Sequence, residues 1–324
     1  MPRLVGGDLV FRLRGPWLER LLVLDDEAMI VRVREGRGEF VFAADPVDPA
    51  LLEGPGSGPL REAGEEALAE GIERMRFSLG VDDDLSDFHR SFRNDPILGR
   101  ALNGRLQNRP MRRPVAWEAL LWAITEQLIE YRRAARIQRQ MIRRFGVRLA
   151  PGVAVRSADV AGRLPRSPRS RGESGLVTVP SPTAIAGAAP AELEACGLSA
   201  RRSVAMVKVA REVASGRVDP MDPAGDPRLL AISEIGPWTL ACLALRGRGE
   251  ADALLAGDLA QLKLVGYLKG LGRLAEIGEV EEFYAPYAPW RGLAGEYLAM
   301  AAGSAVHGPG NRARIRQQAF RHAA

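Results

Sequence analysis

A chain of 324 residues is long enough for two or three compact domains, and 46% hydrophobic with 26% charged residues describes a globular protein. No apolar run approaches the roughly 20 residues of a membrane span, and the opening MPRLVGGDLVFRLRGPW lacks the apolar segment and cleavage site of a secretory signal, so a cytoplasmic protein is expected. The net charge of +5 conceals an asymmetry: up to residue 95 there are 12 arginines against 20 carboxylates, leaving about +13 for the remainder.

Residues 8–44 alternate apolar and polar side chains, as in Leu9-Val10-Phe11-Arg12-Leu13 and Met29-Ile30-Val31-Arg32-Val33. Such period-2 runs between Gly- and Asp-containing turns predict a small antiparallel sheet. The turn-rich stretch Pro46–Pro59 follows, and REAGEEALAEGIERMRFSLG has helical spacing, which completes an N-terminal α+β unit over residues 1–83. From Asp84 the chain reads as a mostly helical body reaching residue 305. Helical spacing runs from Ala116 to Phe145 and stops at Gly146. Between Arg100 and Arg148 there are 12 arginines against Glu118, Glu126 and Glu130, a density that suits a phosphate backbone and equally describes solvated helix faces. Residues 150–182, rich in Arg, Ser, Pro and Gly, predict a mobile surface loop. Short helices resume at Pro182, Pro190, Ala200 and Pro227, and a basic tail occupies 306–324.

The segment LLAISEIGPWTLACLALRG outlines a helix-hairpin-helix: Leu229, Leu230 and Ile232 close one helix, Ser233-Glu234-Ile235-Gly236 turns, and Pro237 starts the next helix. The free N–H groups of that second helix suit a phosphate, although an ordinary αα-hairpin would read the same way. The following segment, EADALLAGDLAQLKLVG, adds Asp252 and Asp258. Cys196 and Cys242 lie in apolar contexts as buried thiols, and His89, His307 and His322 are scattered, so no catalytic metal centre is expected.

The pattern Leu229-x-x-Ile232-x-x-Ile235-Gly236-Pro237-Trp238-Thr239, followed about twenty residues later by Gly257-Asp258-Leu259, resembles the helix-hairpin-helix DNA glycosylase superfamily, and within it the bacterial 3-methyladenine DNA glycosylase II family. Other segments fit in the same order: Trp117-Glu118-Ala119-Leu120 through Ile124-x-x-Gln127, Val179-Pro180-Ser181-Pro182, Cys196-Gly197-Leu198-Ser199 and Ala288-Pro289-Trp290-Arg291. The resemblance implies Asp258 as the catalytic carboxylate, Trp238 and Tyr287 as walls of a base pocket, Gln127 and Leu128 as the wedge that fills the gap of an extruded base, and Ile235, Gly236 and Thr239 as the phosphate grip. Each has a plainer reading: Asp258 as a helix N-cap, the aromatics and Leu128 as core. Asp252 is expected to serve structure. The implied partner is double-stranded DNA with alkylated bases, bound by a monomer. No cofactor is implied beyond a monovalent cation that such hairpins can recruit.

Two absences narrow the class. Strand-nicking relatives use a lysine near the start of the second hairpin helix, where this chain has Trp238, and iron–sulfur relatives need four cysteines beyond the catalytic region, where this chain has none. Three departures run the other way. Glu234 replaces the first glycine of the hairpin, Glu126 the first glutamine before the wedge, and Leu240 the alanine after Thr239. The expected activity is monofunctional hydrolysis of the N-glycosidic bond of alkylated purines, with a non-catalytic DNA-binding protein on the same scaffold as the alternative.

Overall fold

The computed structural model describes residues 10–102, 110–127, 129, 131–150 and 175–302. Its strands are β1 (Phe11–Arg14), β2 (Trp17–Leu24), β3 (Glu27–Glu35), β4 (Phe40–Pro46), β5 (Leu52–Glu53), β6 (Arg61–Glu62) and β7 (Arg148–Leu149). Its helices are α1 (Glu65–Leu79), α2 (Ser86–Phe92), α3 (Leu98–Leu102), α4 (Ala116–Glu126), α5 (Tyr131–Phe145), α6 (Pro182–Ala186), α7 (Pro190–Ala195), α8 (Ala200–Ala214), α9 (Asp226–Leu230), α10 (Pro237–Cys242), α11 (Leu259–Leu268), α12 (Ile277–Tyr284) and α13 (Arg291–Ala302). None of the described helices is long and apolar enough to cross a membrane. The protein is thus mostly helical after a small N-terminal antiparallel sheet, as the sequence predicts.

Two compact units form, divided differently from the expected domains. Among the described residues, Val10–Val81 joins Ile124–Ile235, and Asp82–Ala123 joins Gly236–Ala302. The predicted body of 84–305 is therefore shared between units, and its 306–324 tail lies outside the described residues.

In the first unit, β1–β4 pair antiparallel in sequence order and β6 adds in parallel to the start of β3. The register Leu21↔Ile30 and Glu19↔Arg32 puts these four side chains on one face. Leu21 and Ile30 pack there with Leu52, Val147, Leu149 and Leu176 in a common core. Arg32 is buried beside them and bridges Glu19 at 3.0 Å and Asp45, a charged triad inside the sheet. On the opposite face α1 lies close, because Gly71 has no β-carbon to strike Met29. The alternation therefore marks two covered faces of β2 and β3, with the polar residues paired instead of solvated.

Two sequence expectations need correction here. The helical run 116–145 breaks after Glu126 and resumes at Tyr131, at a point with no Pro or Gly to signal it. The loop expected over 150–182 holds only in part. Residues 151–174 lie outside the described residues, but Leu176 and Val179 are buried and Val177 bridges to Arg148. Leu176 thus extends the sheet core, because an apolar residue beside a strand gains more by burial than a polar stretch loses.

In the second unit, α2, α3, α11, α12 and α13 surround a core containing Phe88, Leu98, Leu264, Val280, Tyr284 and Tyr297. A smaller cluster, Ala123, Cys242, Leu245 and Leu255, joins α4 and α10 to the chain that leads into α11.

Candidate functional site

The hairpin is built by short-range bonds. The N–H of Ile232 donates to Leu229 O and that of Ile235 to Ile232 O, each at 3.0 Å, which winds the chain off α9. Glu234 takes the left-handed conformation, φ 74°, a region that favours glycine. Its carbonyl accepts 2.7 Å from Gln127 Nε2, so a side chain 107 residues away holds the turn. Gly236, extended at φ −129°, is the N-cap of α10, and Pro237 stands at the first helical position. The N–H groups of Gly236 and Trp238 meet no acceptor among the described residues, and a β-carbon at Gly236 would meet nothing within 4 Å. These are the outward, positive groups of a helix start. The other two residues expected in the grip are placed differently: the Ile235 N–H is used within the turn, and Thr239 is buried with its N–H on Gly236 O at 3.0 Å.

Beyond α10 the helix widens into a π-turn, Leu243–Arg248, closed by Gly249 in the left-handed region. The loop 250–257 is pinned from both sides. Glu250 N–H donates to Ala244 O at 2.9 Å, and Leu293 N–H to Ala251 O at 2.8 Å. Asp252 takes the Arg291 side chain at 2.6 and 2.9 Å and its N–H at 3.0 Å, capping α13. That arginine holds the Asp252 carboxyl below its ordinary range, which fits the expected structural role. A β-carbon on Gly292 would run into the Ala253 carbonyl, so only glycine lets α13 press on the loop.

The pinned loop delivers Asp258 as N-cap of α11, where its Oδ1 accepts from Ala260 N at 2.8 Å. One oxygen is thereby fixed, and the other takes no hydrogen bond from a described residue. A side-chain carbon added at Gly257 would stand 3.8 Å from Trp238 Cδ1 and 3.7 Å from Ile277 Cδ1. Trp238 thus lies against Gly257, the residue that precedes Asp258. The Trp238 indole N–H is buried with no acceptor among the described residues.

Tyr287 lies in the core of the second unit. It is 5% exposed, packs edge-on against Phe92 with centroids 5.2 Å apart, and donates its hydroxyl to Asp95 Oδ1 at 3.2 Å. Burial first, then the Asp95 charge, pushes this phenol up to about 12. It belongs to the buried cluster of the second unit. Leu128 lies outside the described residues. Cys196 and Cys242 are buried free thiols, and no His, Cys, Asp and Glu grouping among the described residues could hold a metal. A groove of about 670 Å³ is lined by Asp252, Glu281, Glu282 and Arg291 among alanine, leucine and glycine, and its excess of carboxylates over arginine suits no polyanion.

Sequence reasoning missed the Gln127–Glu234 bond and the arginines around Glu234. Arg201 Nη1 lies 3.9 Å from Glu234 Oε1, and the Glu234 charge also acts on Arg202. Neither carries a local signal, since both join residues far apart in the chain.

No protein-family model matches the chain. The DNA-3-methyladenine glycosylase of Bacillus subtilis is 23% identical over 224 residues, 67% of each protein. A stretch of 71 residues, 22% of this chain, is 39% identical to the "Probable bifunctional transcriptional activator/DNA repair enzyme AlkA" of Mycobacterium tuberculosis, of which it spans 14%. Among solved structures, a 3-methyladenine DNA-glycosylase from Archaeoglobus fulgidus superposes with a TM-score of 0.68 at 18% identity, covering 92% of this chain and 91% of that one. The 8-oxoguanine glycosylase/lyase of Clostridium acetobutylicum superposes at 0.61 and 14% identity, covering 92% and 90%. Over nine-tenths of its length the chain has the fold of the helix-hairpin-helix DNA glycosylases, as the resemblance in its sequence implies.

Proposed function

We propose that the protein is a monofunctional DNA glycosylase that removes alkylated purines of the 3-methyladenine and 7-methylguanine type from double-stranded DNA, working as a monomer in the cytoplasm. One observation carries this reading: Asp258, fixed through one oxygen at the start of α11, follows directly on Gly257, against which Trp238 lies, at the end of a loop pinned by Arg291 and Gly292. Cleavage of the N-glycosidic bond builds positive charge on the deoxyribose, and a preorganised carboxylate stabilises that charge and orients the attacking water. Water adds to the sugar carbon as the carbon–nitrogen bond breaks, the base leaves with the bonding electrons, and the water proton passes to the carboxylate or to solvent. A cationic alkylated base leaves as a neutral molecule, so a single carboxylate suffices. An aromatic wall attracts such a base through cation–π contact, and Trp238 can supply it.

Hydrolysis without strand cleavage rests on Trp238 standing where a lyase would hold its lysine. The lysines of the chain are Lys208, Lys263 and Lys269, and Lys269 is tied to Glu282 at 2.8 Å. The choice of lesion is supported by the names of the Bacillus and Archaeoglobus proteins. The Clostridium protein shows that the same fold serves oxidised bases elsewhere.

The test is release of free bases from alkylated duplex DNA. Wild-type protein is expected to liberate 3-methyladenine or 7-methylguanine and to leave intact abasic strands. Asp258→Asn should lose at least about a hundredfold in rate, the scale of one preorganised electrostatic group, while still binding DNA. Binding without any release by the wild-type protein would instead establish the non-catalytic alternative that Glu234 motivates. A covalent adduct after borohydride reduction would overturn the monofunctional assignment.

A further inference from the structure

The glutamate at the hairpin tip is the feature that a DNA-gripping turn explains least, because it puts a negative charge where a phosphate should approach. Its surroundings offer an account. The Glu234 side chain is only 27% exposed and faces Arg201, itself 87% exposed at the start of α8, across 3.9 Å. Arg202 is half-buried, and burial lowers its guanidinium from the ordinary value, the Glu234 charge raises it, and Arg133 of α5 lowers it again. Arg132, Arg133, Arg136 and Arg143 continue as exposed cations along α5, and none forms an ion pair with a described residue. Arg144, further round the same helix, is by contrast bound to Glu192 at 2.7 Å. Glu234 therefore sits before a guanidinium surface of polyanion-binding character, all within the first unit.

We propose that the Glu234 carboxylate is a built-in phosphate mimic: in the DNA-free protein it holds Arg201 in place, and a backbone phosphate displaces it to take that guanidinium. This deepens the glycosylase reading and rests on it for the identity of the polyanion. A separation of 3.9 Å is well beyond the 2.7–2.9 Å of a tight charge-assisted hydrogen bond. The pair is therefore loose enough to exchange, yet close enough to pre-position a long side chain that would otherwise lose freedom on binding. Gln127, holding the Glu234 carbonyl, keeps the backbone fixed while the carboxylate swings out.

The experiment measures binding of the full chain to a duplex carrying an abasic-site analogue, by fluorescence anisotropy over a range of salt. Glu234→Gln is expected to bind about 3- to 10-fold tighter than wild type, since the competitor is gone. Arg201→Ala should weaken binding and lower the slope of log Kd against log salt by about one. Its cost must be larger in the Glu234→Gln background than in wild type, because only in wild type does the free protein also lose an ion pair. Arg201 is exposed, so its removal should leave the thermal transition unchanged, and Arg201→Lys should restore part of the salt slope. An equal cost of Arg201→Ala in both backgrounds, or no tightening by Glu234→Gln, would overturn the mimic. Base release is followed in parallel. Release without the expected coupling sinks the mimic alone, coupling without release sinks the enzymatic reading alone, and no DNA binding at all sinks both.

Discussion

Asp258 was legible from sequence because a Gly-Asp-Leu step at a fixed distance from a hairpin is a local pattern, and the N-cap geometry of α11 needs a short polar side chain there. Tyr287 was not, because an aromatic residue beside a proline reads alike whether it lines a pocket or fills a core. Its hydroxyl on Asp95 bears on stability. The folded protein holds the phenol at about 12 against an ordinary value near 10, with the neutral form favoured. A raised folded value gives stability that is complete below pH of about 10 and is lost as pH rises through about 12. Tyr284, raised still further by burial, acts in the same sense. Denaturant unfolding between those limits should show falling stability, and Tyr287→Phe should shrink that fall. An unchanged alkaline profile in the variant would mean that Tyr287 ionises freely in the folded protein.

At the scale of elements, the sheet was readable and its chemistry was not. Alternation located β2 and β3, but a period of two cannot say whether the polar face meets water or a second layer. The Glu19–Arg32–Asp45 triad shows the second case. Arg32→Met removes one partner and leaves two carboxylates buried, which should cost about 3–5 kcal/mol in chemical denaturation. Replacing Glu19 and Asp45 by apolar residues as well should recover most of that loss. The break between α4 and α5 was equally hidden, since Gln127 leaves the helix to bond a carbonyl far along the chain. Near the first hairpin helix, Glu212 joins Arg217 and Arg228, and these hydrogen bonds push its carboxyl down to about 2. A lowered folded value gives support that is present above pH of about 4.5 and fades as pH falls towards about 2. Hydrogen exchange in α9 should therefore quicken in Glu212→Gln, and by less in acid, where the wild-type carboxyl is losing its own charge.

For the whole molecule, composition gave size and charge but not connectivity. The boundary expected near residue 83 treated the N-terminal part as a domain of its own. Its core is instead completed by Val147, Leu149 and Leu176, so the sheet and the later helices stand or fall together. Removing residues 1–81 would uncover those three side chains, and the remaining chain should show no cooperative thermal transition in the segment 124–235. A truncated protein that melts cooperatively and releases bases at the full rate would show the sheet to be dispensable. The order of elements, by contrast, was accessible throughout the helical body, because Pro, Gly and Ser punctuate short helices there and caps act locally.

The left-handed turn at Glu234 has a consequence in the language of codons. Glutamate and glycine triplets differ by a single base, and glycine suits a φ of 74° better than any residue with a β-carbon. A randomly mutagenised gene under selection for tight DNA capture has a short path to glycine at this position. Selection for turnover, which also rewards letting go of the product, has no such reason to take it.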